Sequence, residues 1–222
     1  KKFDGKKLRK LNLAEIGQIA GRARRYLNDG TFGITGDCSE INSEEVELLE
    51  KHKFEEINTI FWRNSDLNFN NGTALIKSLD EKPKQKWLRR IHECEDEKVL
   101  KYLLKDLENL IINKNKNELE LLWECCQIPD FVKKTYGHHI QIVTKVFNFL
   151  KNKPGRITSA YMKQQLSPLD KLDGNVDSIS NRIANVRTWS YVSNKSNWVE
   201  NQDYWIERTK NLEDKLSERL HE

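Results

Sequence analysis

Apolar residues in this chain of 222 residues recur mainly at three- and four-residue steps, the spacing that lines one face of a helix. Leu13, Ile16, Ile19, Ala20 and Ala23 predict a helix over 13–27. Asn28-Asp29-Gly30 then supplies residues that tolerate positive φ and predicts a turn. Thr31-Phe32-Gly33-Ile34-Thr35 reads as a short strand. Helix, turn and strand in succession make an α/β fragment, and no later part of the sequence repeats that signal.

From about residue 39 the pattern becomes helical. Ser43, followed by two acids, predicts a helix start, because acids favour the positive end of the helix dipole. A second short helix is expected over 54–63. Residues 64–85 are polar and loop-rich, with Asn70-Asn71-Gly72 as a breaker. Val99, Leu100, Leu103, Leu104, Leu107, Leu110 and Ile111 form a stripe that predicts a helix over 96–112. Helices over 117–127 and 130–151 flank Pro129, and Pro154-Gly155 makes the sharpest break. A helix over 158–166 and a polar loop follow. Two last helices carry Val176, Ile179, Ile183 and Val186 on one face, and Trp205, Leu212, Leu216 and Leu220 on the other's. No repeat of fixed period appears. The expected fold class is mainly α: the end of an α/β domain at 1–38, then an all-helical region at 39–222 with a candidate subdivision at 153–157.

Composition sharpens this in three ways. Charged residues are 32% and apolar residues 37%, so the chain reads as a charge-rich globular protein, and its six Trp argue against disorder. The net charge is +4, yet residues 1–38 hold nine Lys and Arg against four acids, which points to an anionic partner at that end. Cys38, Cys94, Cys125 and Cys126 show no CxxC spacing, so reduced thiols and a cytoplasmic setting are expected, with no metal site. No apolar run is long enough to span a membrane, so no membrane partner is expected. The chain opens inside a Lys-rich segment without Met, and reads as a piece of something longer.

Chemistry concentrates in Gln18-Ile-Ala-Gly21-Arg22-Ala-Arg24-Arg25. On a helix Gln18, Arg22 and Arg25 share a face, because residues three and four apart are neighbours. One amide and two guanidiniums together suit a γ-phosphate in its transition state: the forks neutralise spreading oxyanion charge and the amide orients the attacking water. Gly21 leaves room beside Arg22 for close approach. The plainer alternative is a basic helix whose arginines pair with surface acids.

The stretch Glu15–Cys38 resembles motif VI of superfamily 2 helicases, in particular the mitochondrial degradosome RNA helicase family and its alphaproteobacterial relatives. That family reads K-[FY]-D-G, then E-I-x-Q-I-A-G-R-A-G-R, then G-x-x-T. This chain carries Lys2-Phe3-Asp4-Gly5, Glu15-Ile16-Gly17-Gln18-Ile19-Ala20-Gly21-Arg22-Ala23 and Gly33-Ile34-Thr35-Gly36. Segments such as Leu121-Leu-Trp-Glu-Cys-Cys126 resemble, more weakly, the family's helical C-terminal region. The resemblance implies the end of a second RecA-like domain, with Gln18 near the γ-phosphate, Arg22 and Arg25 as arginine fingers, and Gly21 and both arginines against the nucleotide. It implies an RNA substrate, with DNA the variant of that reading, and ATP and Mg²⁺ held chiefly by an upstream RecA-like domain. An exoribonuclease is a candidate partner. Arg24 departs from the family's usual Gly and points away from the Arg22/Arg25 face.

The chain has no G-x-x-x-x-G-K-[ST] loop and no D-E-x-[DH] box, so it is expected to bind no ATP or Mg²⁺ by itself and to hydrolyse none. His138 and His139 are adjacent and diverge on a helix, which disfavours a shared metal. Leu169–Asp177 lacks the alternating acids of a calcium loop. Phe61-Trp62-Arg63 and Arg187-Thr188-Trp189-Ser190-Tyr191 are candidate contacts for single-stranded RNA, through Arg63 and Arg187. Against that, Trp62, Trp123, Trp189 and Trp205 at helical spacing suit a core, and each arginine is equally suited to brace a helix end or a neighbouring acid. A non-catalytic helical module for RNA binding or protein docking is the competing function.

Overall fold

A computed structural model describes residues 2–3, 8–23, 30–36, 38–106, 115–133 and 135–221. They fall into two compact units, Lys1–Ile60 and Phe61–Glu222, and the chain is mainly helical.

In the first unit, β1 (Lys2–Phe3) pairs antiparallel with β2 (Leu8–Arg9), Lys2 opposite Arg9. Helix α1 (Leu13–Ala20) follows a complete capping box: Asn12 Oδ1 accepts from the Glu15 N–H at 2.8 Å, and Glu15 Oε2 accepts from the Asn12 N–H at 3.0 Å. Glu15 also receives both Nη atoms of Arg9, at 2.7 and 2.8 Å, and Lys2 Nζ at 3.0 Å. These hydrogen bonds hold its carboxyl well below the usual carboxylate range, Arg9 contributing most. Helix α2 (Ser43–Glu50) packs against α1. Its cap is Asn42 rather than Ser43, again with a capping box through Glu45. The contact is close at Gly17, where an added Cβ would lie 2.6 Å from the Phe54 ring.

Two expectations in this unit change. The helix predicted over 13–27 stops at Ala20: Gly21 still donates to Gly17 O, but Arg22 and Ala23 donate three residues back, to Ile19 and Ala20. Residues 24–29 lie outside the described ones. The strand predicted over 31–35 does not form. Phe32 and Ile34 are exposed there, and no described segment offers their backbone a ladder partner.

The second unit holds the core. Strand β3 (Ile60–Trp62) is hydrogen-bonded to β4 (Leu88–Arg90). This replaces the helix expected over 54–63, because Thr59-Ile-Phe-Trp62 is β-branched and aromatic and finds a partner strand. Between the strands lies α3 (Gly72–Leu79), which the Asn70-Asn71-Gly72 signal disguised as a break: Asn71 is in fact its N-cap, accepting from the Ala74 N–H at 2.7 Å. Next come α4 (Glu95–Asp106), α5 (Lys116–Cys126) and α6 (Tyr136–Lys151), then α7 (Ser159–Leu166), α8 (Val176–Ser193) and α9 (Gln202–His221). Residues 107–114, which include the end of the predicted 96–112 helix, lie outside the described ones. Helix α6 begins six residues later than expected, at a Thr135 cap.

One continuous apolar cluster joins α3 through α9. It includes Leu75, Leu100, Leu122, Val143, Met162, Val186 and Leu212, and it runs on both sides of residues 153–157. Ile157 stitches that stretch to the α8–α9 connection, donating to Trp198 O at 2.8 Å and accepting from the Glu200 N–H at 3.0 Å. Trp123, Trp189, Trp198 and Trp205 are buried in this core, and Trp62 is half-buried. Burial raises the thiol pKa values of Cys125 and Cys126, which act as protonated core fillers. No described helix is long and apolar enough to cross a membrane.

His139 is buried on α6, and its burial lowers the imidazole pKa, partly offset by Asp130 and Glu95. A base with a depressed folded pKa takes up protons more readily when unfolded. Its contribution is therefore complete above the ordinary histidine value of about 6.5 and is lost as pH falls. Denaturant unfolding followed between about pH 7 and 5 is expected to show falling stability, and His139→Gln a flatter dependence. Equal slopes in the two proteins would remove His139 as the cause. Leu122→Ala, at a fully buried position, is expected to cost about 2–5 kcal/mol in the same measurement.

Candidate functional site

The residues singled out by sequence occupy different environments. Gln18 stands on the last full turn of α1, exposed. Gly21 caps the helix at φ −63°, so its backbone is ordinary; an added Cβ would sit 3.2 Å from Gly17 O, a tight fit. Arg22 follows, exposed, and its guanidinium has no hydrogen bond or ion pair among the described residues. The step to three-residue hydrogen bonding at Arg22 turns it tighter than an α-helix, so the ideal four-residue alignment with Gln18 does not carry over unchanged. Arg25, the second predicted finger, and Arg24 lie outside the described residues. The site as described is thus an amide and one unpartnered guanidinium at the exposed end of a capped helix.

Arg63 is placed quite differently. Its two Nη atoms donate to Asp96, at 2.9 Å to Oδ2 and 3.1 Å to Oδ1, and its Nε lies 3.2 Å from Glu97 Oε1. Its guanidinium carbon stands 5.0 Å from the centre of the Trp123 ring. Arg90 meets the other side of Glu97, Nη2 to Oε2 at 3.0 Å, and also donates to Asp80 Oδ1 at 2.7 Å and Leu79 O at 3.1 Å. Glu97 is wholly buried. Burial pushes its carboxyl up, while Arg63 and then Arg90 pull it back toward the ionised form. Arg63 therefore braces acids and a core tryptophan, the plainer of its two sequence readings. Arg187 does likewise at the surface, its Nε 2.7 Å from Glu213 Oε1.

Cys94, Asp96 and Glu97 bring one sulfur and two carboxylates within 4.8 Å of one another, the described grouping that most resembles a metal set. Its carboxylates already face two guanidiniums, which supply the compensating charge, and the Cys94 thiol is held up by burial. The arrangement is a closed ion network joining β3, β4, α3, α4 and α5. Periodicity gave no hint of it, because Arg63, Arg90 and Glu97 are far apart in sequence.

No family model, curated protein or solved structure matches the chain.

Sequence reasoning passed over one exposed segment, Lys82-Pro-Lys-Gln-Lys-Trp-Leu-Arg-Arg90. Its density of cations without an acid was the available signal. The contrast between placed and free arginines is measurable. Arg63→Ala uncovers two acids and is expected to lower unfolding free energy by about 2–4 kcal/mol. Arg22→Ala is expected to stay within about 0.5 kcal/mol of the parent. Similar losses at both positions in chemical denaturation would show that Arg22 has a structural partner.

Proposed function

We propose that this chain is the C-terminal part of an ATP-dependent superfamily 2 RNA helicase. It contributes motif VI from the end of a RecA-like domain, followed by a helical accessory region that contacts RNA or a protein partner such as an exoribonuclease. The observation that carries this reading is Arg22. It follows a helix whose Asn12–Glu15 capping box and Arg9–Glu15 pair fix the helix start, it stands beside a glycine, and its exposed guanidinium has no partner among the described residues. A structural arginine would be expected to have found an acid, as Arg9, Arg63, Arg90, Arg187 and Arg208 have. An arginine finger must instead keep its donors for a ligand that arrives from elsewhere.

In this reading the nucleotide with its Mg²⁺ supplies the phosphoanhydride that is cleaved, and the Walker-type loop and acidic box belong to an upstream RecA-like domain of the same protein. Gln18 and Gly21 stand at the phosphate end: the amide orients water and the missing side chain permits approach. Arg22, with Arg25 beyond it, neutralises the charge that develops on the transferred phosphoryl group. Arg24 is bulkier than the glycine of the resembled motif. Reduced thiols and a cytoplasmic location belong to the same proposal. The competing reading, a helical binding module without catalysis, keeps the RNA contact and drops the nucleotide.

Steady-state ATP hydrolysis separates the two. The isolated 222-residue chain is expected to show no turnover. In a protein carrying this chain behind a Walker-type domain, Arg22→Ala is expected to lower kcat by about 10³-fold or more, with RNA binding retained. Turnover by the isolated chain, or an unaffected kcat in the variant, would sink the helicase assignment.

A further inference from the structure

Five of the nine residues from Lys82 to Arg90 are basic and none is acidic. Arg90 is held by Asp80 and Glu97, while Lys82, Lys84, Lys86 and Arg89 are exposed and have no hydrogen bond or ion pair among the described residues. The acids just before the segment are engaged: Asp80 by Arg90, and Glu81 by the Asn64 side-chain amide at 3.1 Å. Among the described residues, four cations are therefore left uncompensated in one short stretch of surface.

Aromatic rings stand with them. Trp87 is 55% exposed, whereas Trp123, Trp189, Trp198 and Trp205 are buried. Phe61, on the strand hydrogen-bonded to β4, is 62% exposed. Alternation along the two strands turns Trp62, Leu88 and Arg90 inward and leaves Phe61 and Arg89 on the outer face. Trp87 ends the turn that leads into β4, where the Leu88 N–H donates to Gln85 O at 3.2 Å. The inward face is anchored through Arg90 to Glu97 and Leu79, so the outer rings are carried on a braced ribbon.

From this we infer that the outer face of the β3–β4 ribbon, with the Lys82–Lys86 loop, is a binding surface for a single-stranded nucleic acid. Exposed rings with open faces give bases a place to stack, and every base has a face to offer. Unpaired cations beside those rings meet the phosphates. A purely electrostatic surface has no use for Trp87 and Phe61, and a purely apolar docking face has no use for four uncompensated charges. A single strand satisfies both, since its bases are unstacked and its backbone is anionic. The inference deepens the RNA contact proposed above and rests on that reading for the class of ligand, but it requires neither ATP nor Arg22.

Fluorescence anisotropy on the full 222-residue chain tests it, with labelled oligouridylate, the matching oligodeoxythymidylate, a blunt RNA duplex and polyglutamate as competitor. Both single strands are expected to bind more tightly than the duplex. Equal affinities point to stacking and phosphate contacts alone, and a preference for RNA points to added 2′-hydroxyl contacts. Trp87→Ala is expected to weaken binding about 5- to 150-fold, the loss of one stacked base. Trp87→Phe is expected to restore most of that affinity while removing the quenching of tryptophan emission on binding. The Lys82→Ala/Lys84→Ala/Lys86→Ala variant is expected to reduce the slope of log affinity against log salt by about 2. All these positions are exposed, so thermal melts should be unchanged. Unaltered affinity in Trp87→Ala and in the lysine variant would overturn the inference, as would equal binding of duplex or full competition by polyglutamate. Because no nucleotide is present, that failure leaves the Arg22 hydrolysis result standing, and the reverse holds too.

Discussion

A carboxylate with no access to water must be paired from more than one side, and Glu97 is that group in the larger unit. Arg90 reaches it from β4 and Arg63 from the end of β3, so the two short strands are tied to the first turn of α4. Neither arginine stops there: Arg63 continues to Asp96 and lies over Trp123, and Arg90 continues to Asp80 and the end of α3. Elements too short to be stable alone are thus fixed to a helical core by charge. A two-stranded ribbon is marginal by itself in water. Here the network holds its inner face, which leaves its outer face available for rings that need not fill a core.

The smaller unit uses the same device more locally. Glu15 closes the capping box of α1 and takes Arg9 and Lys2 at once, so the β1–β2 pair and the helix start are joined at one carboxylate. The helix is short, and the glycine at position 17 lets Phe54 lie against it where a methyl group would collide. The motif that resembles a nucleotide-contacting helix is therefore secured at its N-terminal end and along one side. Its C-terminal end, with Gln18, Gly21 and Arg22, is left open.

What sequence reading recovered, and what it missed, follows from the range of the interactions involved. Helices α5, α7, α8 and α9 were legible because leucine, isoleucine and tryptophan stripes encode burial on one face locally. Both strands of the ribbon and helix α3 were not. The isolated Thr59-Ile-Phe-Trp62 run is ambiguous between helix and strand until Leu88–Arg90 pairs with it, and Asn-Asn-Gly reads as a break although Asn71 is a cap. The Thr31–Thr35 segment shows the converse: strand-like residues with no partner remain irregular. At the site, sequence singled out Gln18 and Arg22 but also Arg63 and Arg187. Only three-dimensional placement tells an arginine with an acid opposite it from one without.

That distinction carries the functional argument. Among the described arginines, Arg9, Arg63, Arg90, Arg156, Arg182, Arg187, Arg208 and Arg219 each have a side-chain partner or interaction, and Arg22 and Arg89 have none. A solvated guanidinium adds little to folding, so its neighbours decide whether it has another use. Arg22 sits beside a glycine at the end of a helix with an amide one turn before it, a set suited to a compact, highly charged phosphate. Arg89 sits in a row of lysines flanked by two exposed rings, a set suited to an extended anion that carries planar bases. In the proposed readings these two arginines, unpaired among the described residues, serve different ligand geometries, one a point of charge and the other a strand. The proposed coupling of nucleotide hydrolysis to a nucleic acid strand draws on both.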